Sequence, residues 1–271
     1  MNIQDFEIQT AIGRGAYGEV LMGVSKKTRR IYAIKVMNKH FIQTKGKSLS
    51  IYKEKALLKF LDHPYIVKLE ASFVNSENLF LLMELVEGDD LGTIIEEQGR
   101  IDASLTRNIV RMLVEALKYI NSVGVYHGDI KPQNIILTKE YKIKLVDFGC
   151  SSFFELNEKN HQVADQIQRF KEKLNQQDID EFNGTSFYAS PELCETGVNT
   201  WKDDLWSLGV LVYYMLTGRL PFDEDTEHLT FNKIVAFDYD KRPAVTFNLL
   251  RVFLQQKLTS LIFCLSLSRK D

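Results

Sequence analysis

His127-Gly128-Asp129-Ile130-Lys131-Pro132-Gln133-Asn134 is followed, after a run of strand-forming residues, by Asp147-Phe148-Gly149. Two acids, a lysine and an asparagine thus stand on two short turns that end neighbouring strands. The set meets the needs of phosphoryl transfer. One acid, Asp129, orients a hydroxyl nucleophile; Lys131 offsets charge on the moving group; Asn134 and Asp147 offer oxygen ligands to Mg²⁺.

Working outward from this stretch, residues 3–83 read mostly as strands. Phe6 to Gln9 alternates, Glu19 to Met22 follows a glycine-rich turn, and Ile31-Tyr32-Ala33-Ile34-Lys35-Val36 is a strand run. Further strands are expected at Ile66 to Leu69 and at Leu79 to Met83. One helix interrupts them: Ile51, Glu54, Leu58 and Leu61 share a face at helical spacing. After Val86-Glu87-Gly88 the pattern turns helical. Ile109, Leu113, Leu117 and Ile120 form an apolar stripe that Gly124 terminates, and Trp206 to Leu216 is apolar all round. The expected fold class is α+β and bilobal. Residues 1–83 form a small antiparallel β lobe with one helix, and residues 84–271 a larger, mainly helical lobe.

Gly13-Arg14-Gly15-Ala16-Tyr17-Gly18-Glu19-Val20 lies between two strands and opens no helix, which excludes a dinucleotide-binding turn. Alone it is a glycine-rich hairpin; beside the other motifs it is a hairpin whose backbone closes over phosphates. Lys35 has apolar strand neighbours, and a buried ammonium needs a partner. Glu54, on the apolar helix face, is the expected one.

These motifs, in this order, resemble the eukaryotic protein kinase family, over nearly the whole chain from Ile8 to about Leu267. Gly184-Thr185, Ser190-Pro191-Glu192, Asp204-Leu205-Trp206-Ser207-Leu208-Gly209 and Pro221-Phe222 extend the match. The resemblance implies a kinase fold with ATP and Mg²⁺ between the lobes. Lys35, Glu54, Asp129 and Lys131 would be catalytic, and Asn134 and Asp147 would hold the metal. Ile12, Gly13, Gly15, Gly18, Val20, Ala33, Lys35, Met83, Glu84, Leu85, Val86, Asp90 and Ile136 would bind nucleotide, with Met83 as gatekeeper. Leu58, Leu69, His127 and Phe148 would stack as a regulatory spine on Asp204. Lys131 in Asp-x-Lys-x-x-Asn, with Thr185, implies a serine/threonine enzyme acting on protein hydroxyls. Leu61-Asp62-His63-Pro64, Ser190 to Leu193 and Phe231 to Ile234 are similar to the AGC group and its phosphoinositide-dependent kinases. That likeness implies a small-lobe groove for a partner's hydrophobic tail, at Lys39, Ile42, Ile51, Lys55 and Leu79. An ordinary helix–sheet junction is the alternative, since Gln43, Ser48 and Val74 differ from the family's groove.

Several positions depart from the family's pattern. Gly128 stands where the family has an arginine that grips a phosphorylated activation loop. Between Phe153 and Asn183 there is no serine, threonine or tyrosine, and Glu181 occupies the related kinases' phosphosite. Both features point away from activation-loop phosphorylation; drift in a decaying kinase would leave the same traces. The segment is long for a loop. Val163, Ile167, Phe170 and Leu174 fall at helical spacing, so an amphipathic helix is expected there, with a solvated insert as the alternative. Gln133 is a neutral amide where basophilic relatives carry a glutamate, so strong arginine selection beside Asp90 is not expected. Glu192 pairs in the family with a late arginine, and the chain stops at Ser268-Arg269-Lys270-Asp271, so the helical lobe reads as truncated unless Arg269 substitutes. The class competing with an enzyme is a pseudokinase scaffold.

Composition is that of a globular protein: 271 residues, 45% hydrophobic, 26% charged, net charge −2. The balance gives no support for nonspecific nucleic-acid binding. Cys150, Cys194 and Cys264 form no metal-spaced pair, and Met1 to Glu7 is too polar for a secretory leader. The apolar stretch Leu258 to Leu267 falls short of the roughly 20 residues a membrane span needs. A cytoplasmic setting is expected.

Overall fold

The computed structural model describes residues 1–15, 18–154, 159–172 and 186–239. Expectations for Ala16, Tyr17, Leu174, Glu181, Gly184, Thr185, Leu258 to Leu267 and Arg269 lie outside these residues. The fold is α+β, with a small β lobe and a larger, mainly helical lobe.

The first lobe is a five-stranded antiparallel sheet in the order β1 (Phe6–Gly15), β2 (Gly18–Ser25), β3 (Ile31–Asn38), β5 (Asn78–Glu84), β4 (Leu69–Val74). Between β3 and β4 come α1 (Lys39–Thr44) and α2 (Ser48–Phe60). Glycine has a steric reason in the β1–β2 turn. A Cβ on Gly18 would lie 1.8 Å from the Val36 carbonyl oxygen, so no other residue permits β2 to approach β3 there. Val20 faces Lys35, Lys35 faces Leu81 and Ala33 faces Met83 across the ladders. α1 begins where the Asn38 side chain accepts from the Phe41 N–H. Ile42 and Ile51 are buried with Met37 and Leu81, so the junction of α1, α2 and the sheet is packed with apolar side chains.

The strand expected at Ile66 to Leu69 is only partly formed. β4 starts at Leu69, and Ile66 instead makes an isolated parallel bridge to Leu145. The Val67 N–H donates to the Leu145 carbonyl (3.0 Å), and the Leu145 N–H donates to the Tyr65 carbonyl (2.8 Å). An apolar run there satisfies its backbone on the second lobe, which period alone does not reveal.

The second lobe starts with β6 (Gly88–Asp90), α3 (Leu91–Gln98) and α4 (Ala103–Ser122), followed by β7 (Val125–Tyr126), β8 (Ile135–Thr138) and β9 (Ile143–Leu145). The strands β6, β8 and β9 form one small sheet, and β7 pairs with β10 (Ser152–Phe153). Then come α5 (His161–Lys171), α6 (Pro191–Thr196), α7 (Trp201–Thr217) and α8 (Glu227–Ala236). The α4 stripe Ile109, Leu113, Leu117 and Ile120 is buried as expected. α7 starts with a capping box between Thr200 and Asp203 and ends on Gly218 at φ 70°, and most of its length is buried. No helix among the described residues is long and apolar enough to cross a membrane.

α7 positions the 127–134 loop. The buried Asp204 carboxylate accepts from the N–H groups of His127 and Gly128, each at 2.7 Å. Burial pushes its pKa up to about 7, although the two N–H donors favour the charged form. Asp204→Ala strands both donors. The expected cost is about 2–5 kcal/mol of stability, read from chemical denaturation, with the 127–134 loop exchanging its amide protons faster.

Candidate functional site

β3 carries Lys35 into the space between the sheet and α2, where its ammonium is almost out of water. Its Nζ donates to Glu54 Oε1 at 2.6 Å and to Asp147 Oδ1 at 3.1 Å. Glu54 is 1% exposed, Lys35 13% and Asp147 48%, so the pair is internal while the second acid faces the cleft. Burial works against the Lys35 ammonium, but Glu54 and then Asp147 outweigh it and hold its pKa above the ordinary lysine value. Burial likewise works against the Asp147 carboxylate, but Lys35 outweighs it and keeps Asp147 ionised below its ordinary value. The expected Lys35–Glu54 pair therefore forms.

Asp147 sits at φ 60°, a left-handed backbone that turns its carboxylate back toward Lys35. The next residue, Phe148, is fully buried and meets the His127 ring edge-on at 4.7 Å. His127 Nε2 lies 3.1 Å from the Val146 carbonyl oxygen, and Leu58 is buried in the same core. His127, Phe148 and Leu58, with Leu69 packed on that core, lie in one continuous core over Asp204.

The second group forms on the 127–134 loop. Asp129 Oδ2 lies 2.7 Å from Lys131 Nζ, and Asn134 Nδ2 donates to the Asp129 carbonyl (2.8 Å) and to Asp129 Oδ2 (2.9 Å). Pro132 and Asn134 belong to a single 3-10 turn that leads into β8. With the Asn134 amide nitrogen so used, its oxygen is the atom left to offer a cation. The ionised Asp147 carboxylate and an amide oxygen are hard donors of the kind that Mg²⁺ takes, so the residues fit that ion.

Of the residues expected at the nucleotide, Val20 and Lys35 face each other, as do Ala33 and Met83. Gly13 and Gly15 pair with Val20 and Gly18 in the β1–β2 hairpin, and Ile12 is exposed beside them. Ile136 pairs with Asp90 in the second lobe. Asp90 caps α3, accepting from the Thr93 N–H (3.0 Å) and the Thr93 hydroxyl (2.8 Å). Leu85 and Val86 lie in the connection between the lobes, where Glu84 Oε1 accepts from the Lys68 N–H (2.9 Å) and from Lys144 Nζ (2.5 Å).

Several residues around the site escape motif reading. The Ser50 hydroxyl donates to the Gly149 carbonyl at 2.8 Å, and the Ser151 hydroxyl to the His127 carbonyl at 2.9 Å. Ser50 lies four residues before Glu54, so helical spacing would have placed it on the same face. The stacking of Tyr52 on Phe170, with ring centroids 3.9 Å apart, joins elements far apart in sequence and carries no local signal. The expected activation-segment helix forms as α5, with Ile167 buried, Val163 and Phe170 partly so, and the intervening polar residues exposed.

Comparison with known proteins agrees with this geometry. A family model described as protein kinase domain matches residues 6–262. The chain is 34% identical to serine/threonine-protein kinase PKH2 of Saccharomyces cerevisiae, over 89% of this chain and 22% of that protein. It is 35% identical to 3-phosphoinositide-dependent protein kinase 1 of Arabidopsis thaliana, over 86% of this chain and 46% of the relative. The human protein of the same name is 31% identical, over 88% and 40%. The chain thus spans less than half the length of each of these relatives. It belongs to the protein kinase domain family, with serine/threonine kinases of the 3-phosphoinositide-dependent type among its relatives.

Proposed function

We propose that the chain is an ATP- and Mg²⁺-dependent serine/threonine protein kinase that moves the γ-phosphoryl group of ATP to protein hydroxyls and does not need a phosphorylated activation loop. The observation that carries this reading is the double engagement of Lys35. It holds Glu54 inside the lobe and Asp147 at the cleft, while Asp129 stands beside Lys131 and Asn134.

In this reading Lys35 positions the nucleotide phosphates and Glu54 fixes Lys35. The hairpin glycines Gly13, Gly15 and Gly18 bring backbone close to the phosphates. Ile12, Val20, Ala33, Leu85 and Ile136 take the adenine, with Met83, Glu84 and Val86 along the connection and Asp90 at the ribose. Asp129 orients the substrate hydroxyl and accepts its proton, and Lys131 offsets charge on the phosphoryl group in transit. Asn134 and Asp147 would hold Mg²⁺, which when bound neutralises phosphate charge. Lobe limits of 1–83 and 84–271 go with this assignment. The packed junction at Ile42 and Ile51, with Lys55 one turn along α2, is the proposed seat for a partner's hydrophobic tail.

Independence from loop phosphorylation rests on Gly128. Its backbone is left-handed, at φ 81°. A Cβ there would lie 2.6 Å from the Cys150 carbonyl oxygen and 3.1 Å from Asn199 Nδ2. The position therefore suits glycine and supplies no cation to a phosphate.

Lys35→Met is expected to lower kcat by about a hundredfold or more, measured with Mg²⁺, ATP and a peptide library, with Asp147→Ala as a second inactive control. Burial already raises the Glu54 pKa, and loss of Lys35 raises it further, which favours the neutral carboxyl in that variant. Folding therefore loses only about 1–3 kcal/mol, less than the cost of a stranded buried charge. A scaffold without catalysis would instead give the same background rate with and without these substitutions.

Phosphatase treatment is expected to leave the rate within about twofold, since one lost phosphate contact network normally costs far more. A large loss that maps to Ser151, Ser152, Thr185 or Ser186 would contradict the proposal. If Glu181 stands in for a phosphate, Glu181→Ala lowers the rate; if it does not, the variant matches wild type and the segment is held by other contacts.

A further inference from the structure

α2 is held from two sides. Its inner face carries Glu54 toward Lys35 and Ser50 toward the Gly149 carbonyl. Tyr52 lies two residues from each, about 200° around the helix, so it faces away from the cleft. On that outer side α5 packs against α2. The Phe170 ring stacks on the Tyr52 ring, with centroids 3.9 Å apart and planes within 4°. Lys55 Nζ lies 4.7 Å from the same Tyr52 ring. Ahead of the helix, the fully buried Asn160 donates from Nδ2 to the Val123 carbonyl at 2.8 Å. α5 is therefore tied to the second lobe just ahead of its start and packs on α2, with Phe170 as the stacked contact.

Glu54 leaves Lys35 only if α2 rotates or moves outward, toward the side that Tyr52 faces. One oxygen of Glu54 is held by Lys35; the other is buried and accepts from nothing among the described residues. Its side chain is thus tethered at one point, and the placement of α2 decides whether the pair forms. An outward movement runs into the Phe170 ring stacked on Tyr52 and has to displace it.

We propose that Phe170 is a positioning residue: through Tyr52, α5 clamps α2 from outside and keeps Glu54 on Lys35, in place of a phosphate-ordered activation loop. The inference rests on the kinase reading of the site and names the regulation of that site. Aromatic stacking adds specificity beyond area burial, and a conserved ring would serve as well as phenylalanine.

The test uses the full chain and two readouts, turnover and amide hydrogen exchange. Phe170→Ala is expected to speed exchange in α2 by roughly threefold to tenfold, the Boltzmann factor of one aromatic pair, while exchange in α4 and α7 stays unchanged. The same variant lowers kcat by a similar factor. Phe170→Tyr keeps the ring and restores both values. Tyr52→Ala matches Phe170→Ala, and the double variant loses no more than either alone. Arg169→Ala, on the exposed face of α5, changes neither. Unchanged α2 exchange in Phe170→Ala would overturn the clamp. Faster exchange throughout α4 and α7 would also overturn it, because Phe170 would then only support the fold. A wild-type chain without turnover defeats the kinase reading, whereas α2 exchange in the same samples still decides the clamp.

Discussion

An ammonium group on the central strand of the small sheet, nearly sealed from water, cannot stay there without a counter-charge. Lys35 has two, and they come from different places. Glu54 reaches in from α2, and Asp147 from the turn that follows β9. Three elements distant in the chain must therefore arrive together before the lysine is satisfied. The sheet register places Lys35 between Val20 and Leu81, and α2 stands over it. A buried ion pair is weak evidence for stability, because desolvation offsets much of the attraction. Its strength here is as a geometric condition: the charges are compensated in one arrangement of α2 and lose compensation in others.

The second lobe solves a matching problem with one carboxylate. Asp204 collects two backbone N–H groups from adjacent residues of the 127–134 loop. Just after this second N–H, Gly128 at φ 81° turns the chain in a left-handed backbone that carries no Cβ penalty at glycine. The loop then turns Asp129 toward Lys131 and Asn134. Phe148, seated against His127, joins this loop to the Asp147 turn, so the two acid-bearing segments share one buried core.

Much of this was legible in the sequence, for a local reason. The glycine hairpin, the strand lysine and the two acid turns are short motifs whose spacing survives any reading of the rest, the α4 stripe carries clear periodicity, and α7 is a long apolar run. Glu54 was found because a lysine between apolar strand neighbours needs a partner, and Glu54 is the acid on the apolar face of the next helix. What escaped depends on contacts between distant segments. The Ile66 to Leu69 run looks like one strand because its apolar residues are strand formers, but the backbone around Ile66 and Val67 bonds to β9 in the other lobe, and only Lys68 and Leu69 join β5. The periodicity of Val163 to Leu174 gave the α5 helix but could not say what it covers; the partner, Tyr52, is an intermediate residue of α2 with no pattern of its own.

Gly128 gathers these arguments at one position. An arginine there would bring a cation, and also a side chain in a left-handed backbone against the Cys150 carbonyl, a strain of roughly 1–2 kcal/mol. Glycine removes both. Without the cation, a phosphate on the following segment has lost one means of ordering it. Without the strain, the loop needs less help to keep its bend, and Asp204, Ser151 and Asn134 are among the side chains that anchor it. In the proposed reading, the order that a phosphate would bring comes from apolar contact. The segment after Asp147 offers it in α5, where Ile167 is buried and Phe170 stacks on Tyr52 of the helix that carries Glu54.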